Sequence, residues 1–224
     1  MDTAGGACSA ALWRDGRVVA RRLELMERGQ SERLVPMIEA VMAEGDLAYV
    51  GLDRLAVTTG PGGFTGVRIG LATARGLALA CGRPLIGVSS FRVLAYAARK
   101  EVATDGSLVV VIDAKRRELY VQAFDASLAQ LTQPASLTPE QLADFLPEGP
   151  LVLVGDAVAQ AGPALAAAKR AFILAETPGS VDAAWLAELA ATGDGINVDG
   201  AAAEPIYLRP PDVTTPAKAL DPKR

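Results

Sequence analysis

A loop carrying four glycines feeds a helix with a stripe of very small side chains, and no other stretch constrains this chain as much. The segment is Thr58-Thr-Gly-Pro-Gly-Gly-Phe-Thr-Gly-Val-Arg-Ile-Gly-Leu-Ala-Thr-Ala-Arg-Gly-Leu-Ala-Leu-Ala80. An apolar strand, Leu55 to Val57, runs into glycines at 60, 62, 63 and 66, and the loop opens directly into the helix. Glycine at that density lets the backbone turn tightly and brings N–H groups close to whatever lies in front of the helix. A helix N-terminus behind such a loop also favours anions. Two readings follow, a phosphate cradle or a tight structural turn. The Walker pattern fails for want of a Gly-Lys-Ser/Thr, and Gly-x-Gly-x-x-Gly is not met in register, so the structural turn leads. Beyond the loop, Gly66, Gly70, Ala74 and Ala78 recur every four residues and share one face. A second backbone fits closely there, either another element of the same domain or a partner chain, and residue types leave both open.

At 224 residues the chain has room for two domains of about 100 residues or one of about 200. Half of it is hydrophobic but only 5% is aromatic, so the core must be built from Ala, Leu and Val. No apolar run reaches the ~18 residues of a membrane span. The first residues, Met1 to Gly6, have neither the basic nor the apolar region of a signal peptide, and Cys8 and Cys81 read as buried thiols. The expectation is a cytoplasmic protein without membrane contact. A net charge of −4 argues against gripping nucleic acid unaided. The sequence contains no histidine, which removes Ser-His-Asp and Cys-His nucleophile systems and histidine-ligated metal centres. Acid–base work would fall to carboxylates, Lys or Tyr.

Along the chain, Cys8 to Trp13 and Arg17 to Leu25 flank Asp15-Gly16 and predict a hairpin. Leu34, Val35, Met37, Ile38, Val41 and Met42 fall at helical spacing, with Ser31 placed to cap and Gly45 to end that helix. Pro36 should bend or delay its first turn. Strands are expected at 55–59 and 84–89, and helices at 67–80 and 91–99. The pattern then restarts: Leu108 to Asp113 is a β-branched run fit for a strand buried on both faces, and a second strand follows at 118–124. Thr138-Pro139 opens a helix, 151–155 is a strand, 157–169 is mainly helix, and Ser180 is placed to cap a helix at 181–191. From Pro210 the chain should be irregular. Both halves begin alike, with an Asp, a short turn and a strand (Asp2-Thr3 and Asp113-Ala114), which suggests two related α/β domains around a cleft.

Taken in order, Asp2-Thr-Ala, Ala7-Cys-Ser-Ala-Ala-Leu, Arg28 to Ile38, Gly60 to Ala80, Gly87-Val-Ser-Ser90, Ile112 to Tyr120 and Pro205-Ile-Tyr-Leu-Arg209 resemble the TsaB (YeaZ) family, over about residues 2–210. The resemblance implies an α/β two-domain fold of the ASKHA (actin/Hsp70/sugar-kinase-like) class with a reduced C-terminal domain. The implied boundaries are 1–104 for the N-terminal domain, 105–209 for the reduced one and 210–224 for a mobile tail. It implies a non-catalytic subunit that binds and activates TsaD in forming the threonylcarbamoyl group on adenosine 37 of tRNAs reading ANN codons. TsaE is expected to join the larger complex, tRNA to be met indirectly, and the protein to form a homodimer when alone. No cofactor is expected; ATP or ADP enters only at the complex interface. Leu34, Met37, Arg68, Gly70, Ala74 and Ala78 are then the expected partner-binding residues. Asp2, Thr3 and Asp113 stand where relatives hold nucleotide phosphate, and here they read as a vestigial loop or as plain turn caps. Gln30 replaces the family's usual His, and Gly63 its frequent Ser. The family also has about five apolar residues ahead of its first Asp where this sequence has Met1, so upstream residues are the expectation. Two enzyme readings stand beside this one, a small-molecule kinase of the same fold and, less favoured for want of histidine, a glycoprotease.

Overall fold

The computed structural model describes residues 1–176, 179–193 and 203–209; the 210–224 tail of the sequence reading lies outside them. The hairpin forms as the Asp-Gly signal requires. Strand β1 (Ala7–Arg14) turns at Asp15 and Gly16, with φ of 53° and 83°, into antiparallel β2 (Arg17–Leu25). Two successive positive φ values match the twist of a two-residue hairpin turn. Helix α1 (Gln30–Glu44) lays Leu34, Met37, Ile38, Val41 and Met42 against this hairpin. It begins one residue before Ser31, behind Gly29 at φ 95°, and runs on through Pro36. The expected capping role of Ser31 and the delayed first turn are therefore corrected. The Ser31 hydroxyl bonds to Glu32 instead, at 2.9 Å.

Strand β3 (Leu55–Thr58), helix α2 (Phe64–Cys81) and strand β4 (Leu85–Val88) make a parallel βαβ unit. Helix α2 starts three residues earlier than its periodicity suggested, directly behind Gly63. Helix α3 (Ser90–Glu101) follows, its first turn capped by Ser89 Oγ, which accepts from the Arg92 N–H at 3.1 Å.

The second half is built on β5 (Ser107–Asp113), antiparallel β6 (Leu119–Phe124) and β7 (Ala135–Leu137). A capping box of Thr138 and Gln141 leads into the short α4 (Leu142–Phe145). Strand β8 (Leu151–Val154), α5 (Val158–Ala167) and β9 (Phe172–Leu174) add two parallel strands, giving the order β7-β6-β5-β8-β9. Strands β7 and β9 were not expected; each has three residues, too few for a period to show.

The first half repeats this order in two pieces, β2-β1 and β3-β4, with Met1 and Asp2 between them. Asp2 exchanges backbone bonds with Ser9 of β1, while the Met1 ammonium donates to Ala56 of β3 and the Met1 carbonyl accepts from Thr58 N–H. Helix α6 (Ala183–Thr192) crosses back to close the first half. Its N-cap is Asp182, accepting from Ala184 N–H at 2.9 Å, rather than Ser180. Ser9 Oγ ties it down, donating to the Val181 carbonyl and accepting from Ala183 N–H. One apolar core, including Phe91, Tyr96, Leu108, Val110, Leu186 and Leu189, consequently spans both halves. Among the described residues no helix is long and apolar enough to cross a membrane.

Candidate partner surface and the aspartate turns

Asp2 and Asp113 do the same local job. Each accepts the backbone N–H two residues on: Asp2 Oδ1 from Ala4 at 3.1 Å, Asp113 Oδ1 from Lys115 at 2.7 Å. These are Asx turns closing the end of a central strand. The surroundings differ. Asp113 is half-buried and pairs with Lys115 Nζ at 3.2 Å, and its backbone N–H donates to Asp156 Oδ1 at 2.7 Å. Burial raises the pKa of Asp156. Asp2 is fully buried; Thr58 Oγ1 donates a short bond to its Oδ1, and Oδ2 has no hydrogen-bond partner. Burial pushes its pKa up to about 6, against the opposing bonds from Thr58 and Ala4. Among the described residues no three His, Cys, Asp or Glu side chains come together as a metal site.

The glycine loop is filled by the chain itself. The Ala4 carbonyl accepts from Gly63 N–H at 2.7 Å, in front of α2 where an anion would sit, and Thr3 Oγ1 donates to the Gly66 carbonyl at 2.7 Å. A Cβ on Gly62 would lie 2.2 Å from the Ala4 carbonyl oxygen, and one on Gly66 2.0 Å from that of Thr3. The loop is thus a docking edge for Thr3–Ala4, which gives its glycines a structural role. The same contact settles the direction of the small-residue stripe. Gly70 faces Thr3 Oγ1 and Val57, and Ala74 is fully buried beside Val57 and Val67.

Four of the six expected partner-binding residues are accordingly corrected in placement. Leu34 and Met37 on α1, and Gly70 and Ala74 on α2, are buried in this chain's own core and offer no surface. They carry the apolar period, and the period points inward. Ala78 is half-buried and Arg68 exposed. Arg68 lies on the outer face of α2 with its guanidinium 3.2 Å above the Phe64 ring and 5.3 Å from that of Tyr207. The two rings are 5.6 Å apart, and 53% of Phe64 and 45% of Tyr207 remain exposed. A cation in the first turns of a helix opposes the dipole; stacking on two rings offsets that cost. Further along the same face, Arg75 holds the Ala203 carbonyl at 2.7 Å and Leu79 is 86% exposed. Phe64 and Tyr207 were missed in the sequence: the expected helix began at 67 and left Phe64 in the loop, and only with the helix extended to Phe64 does its i, i+4 spacing to Arg68 become a signal.

Comparison with known proteins gives a consistent set. The family model described as TsaD, tRNA N6-adenosine threonylcarbamoyltransferase, matches residues 24–192. The tRNA threonylcarbamoyladenosine biosynthesis protein TsaB of Escherichia coli (strain K12) is 43% identical over 121 residues, 54% of this chain and 51% of that protein. TsaB of Bacillus subtilis (strain 168) is 31% identical over 146 residues, 65% of this chain and 62% of that protein. The chain therefore spans about half the length of the curated relatives it matches. In three dimensions YeaZ from Pseudomonas aeruginosa superposes with a TM-score of 0.72 at 30% identity, covering 92% of this chain and 97% of that one.

Proposed function

The chain belongs to the TsaB (YeaZ) family and has its α/β two-domain ASKHA fold with a reduced second half, and on that footing we propose that it is a non-catalytic subunit of tRNA threonylcarbamoyladenosine synthesis. Its role is to bind and activate TsaD, which transfers the threonylcarbamoyl group to adenosine 37 of tRNAs reading ANN codons. One observation carries this reading: the outer face of α2 presents Phe64, Arg68 and Leu79, with Tyr207 packed against the first two, and the inner face of the same helix is locked into the core. Exposed aromatics with an arginine are the usual makings of a protein-binding hot spot. Asp2 and Asp113 then serve as strand-end caps rather than a phosphate clamp, which their Asx-turn hydrogen bonds support. In this reading the two halves meet near residue 105, TsaE joins the larger complex, and tRNA is met only through it. ATP or ADP binds solely at the interface with TsaD, the protein is cytoplasmic, and two copies pair through the α2 face when TsaD is absent.

The test is reconstitution. Copurification with TsaD, and tRNA modification that needs this chain while the chain alone cleaves neither glycoprotein nor ATP, is the expected result. Undiminished modification without it, or an ordinary enzymatic turnover by the isolated chain, of order 1 per second or more, would overturn the reading.

A further inference from the structure

The sheet of the second half ends at β9, and among the described residues no strand lies beyond it. The inner edge of β9 is taken up by β8. Leu151 N–H donates to the Ala171 carbonyl at 3.2 Å, and Ala175 N–H donates to the Leu153 carbonyl at 2.9 Å. Alternation along the strand then turns the N–H and carbonyl of Phe172 and of Leu174 the other way, out of the sheet.

Proteins commonly blunt such an edge with charged side chains or proline. Edge strand β2 does so, with Arg17, Arg21, Arg22 and Glu24. Strand β9 has no such guard. It reads Phe-Ile-Leu, and 53% of Ile173 and 55% of Leu174 are exposed. Phe172 lies against α5, with its ring 3.4 Å from where a Cβ on Gly162 would stand, so the edge is backed by the core of this half.

The segment around β9, Arg170-Ala-Phe-Ile-Leu-Ala-Glu176, is complementary to itself when reversed. Set antiparallel to its own copy about Ile173, it places Phe172 opposite Leu174, Ala171 opposite Ala175 and Arg170 opposite Glu176, each of these twice. Phe172 and Leu174 carry the outward main-chain groups, so their pairs close hydrogen-bonded rings. Ile173 meets its counterpart at the non-hydrogen-bonded position, where side chains approach most closely. The charges agree at both ends. Among the described residues Arg170 meets only main-chain carbonyls, those of Ala143, Leu146 and Pro147, and Glu176 is exposed. A slip of the register in either direction loses both the charge match and the apolar match.

The geometry points to β9 as a self-pairing edge, through which two copies of this chain join antiparallel about Ile173 and continue one sheet across both molecules. The edge shares no residue with the outer face of α2, so the pairing stands or falls apart from the function proposed above. With three strand residues on each side, the interface is far smaller than the about 20–30 residues a side of a stable complex, which makes the pair a transient one.

Sedimentation velocity at about 100 µM chain, where a weak pair of this size is populated, tests it in an Arg68→Glu background that removes pairing through α2. The background chain is expected to exchange between monomer and dimer. Ile173→Lys sets two like charges opposite each other at the centre, and should weaken the dimer at least about tenfold at an unchanged Tm. Register is read by cysteine, with Cys81→Ser added to that background. Ile173→Cys should form a covalent dimer with oxidised glutathione, which takes up the two electrons and leaves as the reduced thiol. Leu174→Cys lies more than about 7 Å from its counterpart, Cα to Cα, and should cross-link at least about tenfold more slowly. Equal cross-linking of the two cysteine variants overturns the inference, as does a dimer that Ile173→Lys leaves untouched. A background chain that stays monomeric overturns it too, and leaves the open edge to a different protein.

Discussion

Gly66→Ala and Gly76→Ala are the same substitution ten residues apart on one helix, and the structure gives them opposite signs. In helix α2 alanine is favoured over glycine by at most ~1 kcal/mol at either site. At Gly76 nothing lies within 4 Å of the added Cβ and the residue is exposed, so that gain stands alone and the variant should be stabilised by up to ~1 kcal/mol. At Gly66 the Cβ would come 2.0 Å from the Thr3 carbonyl oxygen and 3.1 Å from its carbon. The obstacle is backbone, so no rotamer relieves it; Thr3–Ala4 must move away by more than an ångström. Overpacking of that kind costs ~1–3 kcal/mol. The movement also strains the Thr3 Oγ1 bond to Gly66 and the Gly63 N–H bond to Ala4, a further ~1 kcal/mol each if lost. The net is a destabilisation of about 2–4 kcal/mol, roughly 5–15 °C in Tm for a chain of this size. Thermal unfolding of both variants beside the parent measures it. A Gly66→Ala protein as stable as Gly76→Ala would refute the claim that α2 docks on Thr3–Ala4.

Ala74→Arg places an unpaired charge in a fully buried position, so it should lower stability by ~3 kcal/mol or more, read as a collapsed melting transition rather than only weaker partner binding. Arg68→Glu and Phe64→Ala sit on the exposed face and should leave unfolding within about 0.5 kcal/mol of the parent, yet weaken association with TsaD at least about tenfold by calorimetry. Asp2 has a folded pKa raised from 3.8 to about 6, so its contribution to stability is full below about pH 4 and fades as pH rises through about 6. Asp2→Asn should therefore gain stability on the parent between pH 4 and 7, by ~2–3 kcal/mol at most, and a flat difference across denaturant titrations in that range would remove the buried-carboxyl reading.

Much of the fold was legible because local patterns agree with it. The Asp-Gly turn, the apolar period of α1 and the β-branched run of β5 each name an element without help from distant residues. The direction of the α2 stripe was not legible. Four small residues at helical spacing declare that a backbone approaches, but the approaching segment, Thr3–Ala4, lies some sixty residues earlier in the chain. The placing of α6 has the same cause: its anchor, Ser9, is 172 residues from Val181. Leu34 and Met37 were misplaced for a simpler reason. An apolar residue on an amphipathic helix reads equally as core or as interface, and the hairpin β1-β2 takes that face of α1 first.

That competition for faces also explains where this chain keeps exposed aromatic and cationic side chains. Helix α2 spends its narrow side on Thr3–Ala4 and β3, which forces its Phe, Arg and exposed Leu side chains outward. The docking of Thr3–Ala4 in turn buries Asp2, whose carboxyl then caps its own turn with one oxygen unpaired. Among the described residues of the second half no glycine-rich helix covers the equivalent turn, and the half-buried Asp113 pairs with Lys115. The same strand-end aspartate is therefore a fully buried acid in one half and a half-buried ion pair in the other, and the difference traces to the glycines at 62 and 66 that let α2 close over the first turn.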